Sequence, residues 1–323
     1  MLLLATRALA AIIVACLATG ATLAQSFPER DVRIVVPFPP GGGSDILART
    51  IADKLSAQWK QSVIVENLAG AGGAVGTAAV AKAPPDGHTL LIADASVFTT
   101  NPLLYPSLSY AAKDLAPVIN LATFGLILVA PANSPIQSLR DLLAMDKAKA
   151  ARLNVASSGN GTGNHLALEK FNEAAGLGMA HVPYKGAGPA LNDVLGAQVD
   201  LMFSSGPLVV PHLKTSRIRA LAVTSKSRMG LAPDVPTVAE SGVAGFEAVA
   251  AQGVFAPAAT PRNVIARINS DIAAVLAHPD VKARWAQMGL DPLDNSPEQF
   301  ASWLAQESVS IAALIKKKNI TPN

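Results

Sequence analysis

Apolar residues fall along this chain in two rhythms that take turns. Short, largely β-branched runs at residues 32–36, 63–65 and 89–93 read as buried strands. Between the first two, Ile46, Leu47, Ile51, Leu55 and Trp59 recur at helical spacing. A small-residue stretch reaching Ala83 reads as another helix, stopped by Pro84-Pro85-Asp86-Gly87. Further strands are expected at 118–121, 126–130, 153–156, 199–203, 218–224 and 251–256. Helices are expected at 138–151, from His165 through Phe171, at 189–195 and 209–213, with a short one starting at Thr237. The tail is helical at 261–276, 280–288 and 297–318, and Pro261, Pro279 and Pro297 each sit near a helix start, where proline is tolerated. Alternation of this kind predicts an α/β fold, and 323 residues leave room for two domains.

Where the first strand stops, the chain reads Pro37-Phe38-Pro39-Pro40-Gly41-Gly42-Gly43-Ser44-Asp45. Ser44 stands where an N-cap is expected. A strand that runs through a glycine-rich turn into a helix presents unpaired backbone N–H groups and the positive end of a helix dipole, which together hold an anion. The glycines let a ligand approach the backbone. No lysine follows them, so this is not the G-x-x-x-x-G-K-[ST] phosphate loop. A carboxylate, with one charge, can be held by neutral donors alone. The plain alternative is a flexible turn.

The same logic returns after the strand at 153–156. Ser157-Ser158-Gly159-Asn160-Gly161-Thr162-Gly163-Asn164 is rich in glycine and in donors, and His165 opens the next helix. Two donor turns in two α/β units suggest a cleft with donors on both walls. Ser96 and Thr99 follow the carboxyl end of the strand at 89–93, where ligands sit in open α/β sheets, and are site candidates with helix capping as the alternative. Residues 94–102 are expected to be a loop. Gly70-Ala71-Gly72-Gly73-Ala74-Val75-Gly76, with Asp94 further on, suggests a dinucleotide fingerprint, but the spacing is G-x-G-x-x-x-G and the glycines lie several residues past the strand. A tight turn and a closely packed helix is the reading that fits.

Composition narrows the picture. Half the residues are hydrophobic and 15% are charged, with a formal net charge of +3, which is no nucleic-acid footprint. Lys316-Lys317-Lys318 reads as a solvated helix C-terminus that complements the dipole. Residues 1–24 carry Arg7, an apolar stretch at 8–17 and a small-residue site at 22–24, the pattern of a signal peptide. Cys16 is the only cysteine; a lipoprotein box ending there is the rival to simple cleavage. A chain exported without disulfides suits a bacterial periplasm. No H-E-x-x-H, cysteine pair or G-x-S-x-G is present, so neither a metal nor a cofactor is expected. A hydrolase built from Ser44 or Ser157 with His165 is the enzymatic alternative. His165 otherwise reads as a residue that orients or caps its turn, and Lys185 as a solvated loop lysine.

Five ordered motifs carry a further resemblance: PERDVRIVVPFPPGGGSDILAR, VIVENLAGAGGAVGTAAVAKAPPDGHTLL, HVPYKGAGPALNDVLGAQVDLMF, IRALAVTSKSR and PDVPTVAESG. From about Phe27 to the C-terminus the chain resembles the Bug-type substrate-binding proteins of tripartite tricarboxylate transporters. The resemblance implies a two-lobed Venus-flytrap fold of type II, each lobe a mixed sheet flanked by helices, and no catalysis. We expect residues 25–124 and 249–323 in the first lobe and 125–248 in the second. The resemblance also implies a small carboxylate ligand held by the two donor turns. These map onto Phe38, Gly42, Gly43, Ser44 and Asp45, and onto Ser157, Thr162, Gly163 and His165. A two-component membrane permease is the implied partner, and a monomer is expected. The chain departs from the family at Ser204, where an aspartate is common after V-D-L-M-F. Placed beside the cleft, Ser204 would favour acids without an amino group over their amino counterparts.

Overall fold

The computed structural model describes residues 27–105, 107–287, 289–290 and 292–321. The expected signal peptide, Cys16 and the last residue of the 280–288 helix lie outside them.

The chain lays down β1 (Val32–Val36), β2 (Val63–Asn67), β3 (Thr89–Asp94) and β4 (Leu115–Gly125). It continues as β5 (Ile127–Pro131), β6 (Asn154–Ser157), β7 (Ala180–Pro183), β8 (Leu201–Ser204) and β9 (Ile218–Val223), then returns as β10 (Val249–Pro257). Two five-stranded sheets result, ordered β2-β1-β3-β10-β4 and β7-β6-β8-β5-β9. In the first, β1 is parallel to β2 and β3, while β10 is antiparallel to β3 and β4. In the second, β6 is parallel to β7 and β8, while β5 is antiparallel to β8 and β9. One arrangement has been built twice, and the chain crosses between the lobes at residues 125–127 and again between β9 and β10.

Among the described residues, eight helices of two turns or more flank the sheets. They are α1 (Gly43–Trp59), α2 (Ala74–Ala81), α3 (Gly163–Ala175), α4 (Ala187–Leu195), α5 (Gly206–Lys214), α6 (Arg262–Ala277), α7 (Pro279–Ala286) and α8 (Pro297–Lys318). The α1 stripe read from the sequence is mostly core, since Leu47, Ile51 and Leu55 are fully buried with Val32, Ile34 and Val36. Helix α8 closes the first lobe through Phe300 and Leu304. Its C-terminal lysines are not simply solvated: Lys317 and Lys318 reach Glu173 on α3, which ties the tail to the second lobe.

Several elements differ from expectation for local reasons. The helix expected at 138–151 is two short ones, Leu139–Leu143 and Lys147–Ala150, because Asp146 accepts from the N–H groups of Ala148 and Lys149 and starts a new helix. The loop expected at 94–102 folds into Ser96–Thr99 and Asn101–Leu104, once Asp94 Oδ1 accepts the Ser96 N–H at 2.9 Å. Thr237 and Glu240 form a reciprocal capping pair, at 2.8 and 3.0 Å, yet no named helix follows. Thr237 bridges β9 at Val223 instead, and Gly242 follows at once. The 70–76 turn leads into α2 as a packing device: a Cβ on Gly76 would stand 2.7 Å from the Leu68 carbonyl oxygen and 2.9 Å from Pro37.

Candidate functional site

Between the lobes lies a cavity with about 500 Å³ of empty space, counting its open mouth. Phe38, Gly42, Gly43 and Ser44 line it from the first lobe. They form the turn after β1 and the first residues of α1, whose N-terminal N–H groups lack intrahelical partners. Ser158, Asn164, Ala187 and Ser205 line it from the second. The walls are close, since a Cβ on Gly43 would sit 3.0 Å from Ser205 Oγ. Phe124, Leu126 and Ala250, beside the two crossings, give an apolar side.

The N-cap of α1 is Gly42, not Ser44. Ser44 sits one residue into the helix and is buried, with its hydroxyl donating to Gln252 Oε1 at 2.7 Å. Asp45 does the closing: its carboxylate folds back to accept the Gly41 N–H at 3.0 Å, and also takes Arg49 and Asn67. Burial opposes its charge, but Arg49, Gly41 and Asn67 outweigh burial and hold the carboxyl below its ordinary value. Asp45 therefore braces the donor turn rather than meeting a ligand.

The second donor turn behaves similarly. Thr162 is buried and its hydroxyl donates to the Gly159 carbonyl at 2.8 Å. His165 Nδ1 accepts the Gly161 N–H at 3.0 Å, so this ring caps its own turn. Ser157 is fully buried, with Oγ 2.5 Å from His181 Nε2. The His181 ring stacks on His165 with centroids 3.8 Å apart and planes 5° from parallel. Burial, and then His165, push His181 down to about 3. A neutral imidazole bonded to a buried serine braces the turn, and Ser157 is not among the described residues that line the cavity. From this turn the cavity is reached by Ser158, whose hydroxyl donates to Asn164 Oδ1 at 2.7 Å, and by Asn164 itself.

Two more expected residues move. Ser204 ends β8 opposite Ile127, is wholly buried, and its hydroxyl makes no hydrogen bond. Side chains alternate along a strand, so the neighbour Ser205, not Ser204, faces the cleft. The ligand preference expected from Ser204 loses its basis. Ser96 and Gly163 lie behind the main cavity, in a smaller one they share with Asp94 and Lys170. Asp94 lines both, and is the one ionisable side chain among the described residues lining the main cavity. Lys185 lines the outer mouth with Tyr105, Gly159 and Asn160. There the Tyr105 hydroxyl donates to the Asn160 carbonyl at 3.2 Å, a bond from lobe to lobe.

Sequence reading thus placed Phe38, Gly42, Gly43 and Ser44 at the cavity, and missed Asp94, Phe124, Leu126, Ser158, Asn164, Ser205 and Gln252 as lining residues. Ser158 and Asn164 stand in a turn already singled out, and Ser205 directly follows Ser204, with the period-two rule as its signal. Phe124 and Gln252 carry no local signal, because the crossings alone bring them there.

With this geometry in place, comparison with known proteins is decisive. The model of the tripartite tricarboxylate transporter family receptor matches residues 47–320. The chain belongs to that family. Relatives agree along nearly its whole length. A UPF0065 protein from the tcbD-tcbE intergenic region of Pseudomonas sp. is 39% identical, over 98% of this chain and 95% of its own. The solved structure of the R. palustris protein Rpa4515 with adipate superposes with a TM-score of 0.88 at 33% identity, covering 92% of this chain and all of that one. MatC from Rhodopseudomonas palustris with bound malate gives 0.83 at 31% identity, covering 90% of this chain and all of that one. This family member therefore has the two-lobed α/β fold of a periplasmic solute-binding protein. No helix among the described residues is long and apolar enough to cross a membrane.

Proposed function

We propose that this receptor closes around a small organic carboxylate in the periplasm and presents it to a two-component membrane permease. The observation that carries the reading is the N-terminus of α1 opening into the interlobe cavity. Its backbone donors meet neutral Ser158, Asn164 and Ser205 across the cleft, with no lysine or arginine among the lining residues. Neutral donors and a helix dipole suit a singly charged oxyanion group. The adipate and malate of the two solved relatives support a carboxylate. Gly42, Gly43 and Ser44 supply the donors, and Phe38, Phe124 and Leu126 cover the ligand's carbon skeleton.

On this reading the protein acts as a monomer and does no chemistry on its ligand. Residues 1–24 direct export, with acylation at Cys16 as the rival fate. A thermal-shift screen against carboxylates tests it. A ligand at 100 times its dissociation constant raises stability by about 2.7 kcal/mol. A screen in which no carboxylate raises the melting temperature refutes the reading, and turnover of a carboxylate ester would replace it with the hydrolase.

A further inference from the structure

Asp94 ends β3 and pairs in register with Gln252 on antiparallel β10. Gln252 accepts the hydroxyl of Ser44 at 2.7 Å. Facing residues on antiparallel strands have Cα atoms about 5 Å apart. The donor end of α1 and the Asp94 carboxylate therefore border the same small space.

The carboxylate is only partly satisfied. It accepts the Ser96 N–H at 2.9 Å and the N–H of Gly163 at the start of α3. Gly163 allows this approach, since a Cβ there would stand 3.2 Å from Asp94 Oδ2. An ionised carboxylate offers about four acceptor positions, so at least one remains even with the Ser96 side chain counted. Among the described residues no lysine, arginine or histidine forms an ion pair with it. Burial pushes its carboxyl above the ordinary value in spite of the Ser96 side chain and the N–H groups of Ser96 and Gly163. A carboxylate in a closing cleft without a cation is costly, and Lys170, which lines the cavity behind it, pairs with Glu307 instead.

We propose that the missing cation belongs to the ligand, and that this receptor selects amino carboxylates. The ligand carboxylate sits on the α1 N-terminus and its ammonium on Asp94. This rests on the carboxylate reading above and reverses the preference expected from Ser204. Asp94 is the specificity residue, and Asn in its place keeps the shape while removing the charge.

Calorimetric titration with matched pairs tests the proposal: succinate against L-aspartate, glutarate against L-glutamate, 4-methylpentanoate against L-leucine. In the wild-type protein the amino member of the pair that binds is expected to bind at least tenfold more tightly. In Asp94→Asn the amino member is expected to weaken at least tenfold and the plain acid to hold or gain. The wild-type comparison decides even if the variant does not fold, which a circular-dichroism melt would report. Plain acids binding as tightly as their amino partners would overturn the proposal and leave the carboxylate reading standing. So would a tenfold preference that survives in folded Asp94→Asn. No heat from either member of any pair would overturn both.

Discussion

The stacked pair His165 and His181 makes acid stability a quantitative test of the second donor turn. His181 sits at about 3 in the folded protein, against 6.5 in an unfolded chain. The unfolded state therefore binds a proton that the native state refuses throughout that window. Stability contributed by the neutral ring is complete above pH 6.5 and falls progressively toward pH 3. Each pH unit in the window is worth about 1.4 kcal/mol, so two units, from 6.5 to 4.5, amount to about 2.7 kcal/mol. The ring is partly exposed, and solvent screening reduces this to about 1–2 kcal/mol. The perturbation is His181→Phe, which keeps an aromatic face against His165 but cannot titrate. It also removes the bond to Ser157, at about 1 kcal/mol, a cost present at every pH. The assay is urea unfolding of both proteins at pH 7 and pH 4.5. The wild type should lose about 1–2 kcal/mol more on acidification than the variant. Equal losses in the two proteins would show that the proton does not enter where the geometry says it does.

Other consequences are simpler to read. Gly42→Val should abolish ligand-induced thermal stabilisation while the apo melting temperature stays close to wild type, because Gly42 has a φ of −79° and only the Pro39 carbonyl, 3.7 Å away, near its Cβ position; an undiminished ligand shift would remove this turn from the site. Ser205→Ala should weaken binding by about one hydrogen bond, roughly 1 kcal/mol, in calorimetry. Ser204→Ala should leave binding unchanged and raise the urea midpoint slightly, since its buried hydroxyl has no partner; the reverse pattern would mean that the two serines have been assigned to the wrong faces. Small-angle scattering should give a smaller radius of gyration with a saturating carboxylate than without, as two lobes close on one ligand; an identical radius would count against a clamp.

Much of this architecture is written locally. The β-branched runs, the α1 stripe and the prolines at helix starts need only neighbouring residues to be interpreted, so the two α/β units and both donor turns are legible in one dimension. The first turn is legible down to Gly42 and Gly43, because a helix N-terminus is a backbone property and survives any side-chain detail. What the side chains do at those turns was not legible. The family resemblance places Ser44, Asp45, Ser157, Thr162 and His165 at the ligand, yet the side chain of each satisfies its own turn or a neighbour, as the capping reading of His165 expects, since a polar group buried beside a strand end must find a partner within the protein before it can serve a ligand. The opposite wall depends on tertiary structure altogether. Register on β8 sends Ser205 rather than Ser204 into the cleft, and β10, arriving from the second lobe some 150 residues after β3, sets Gln252 beside Asp94. A charge without a cation, facing an anion site across one strand pairing, exists only once both sheets have formed.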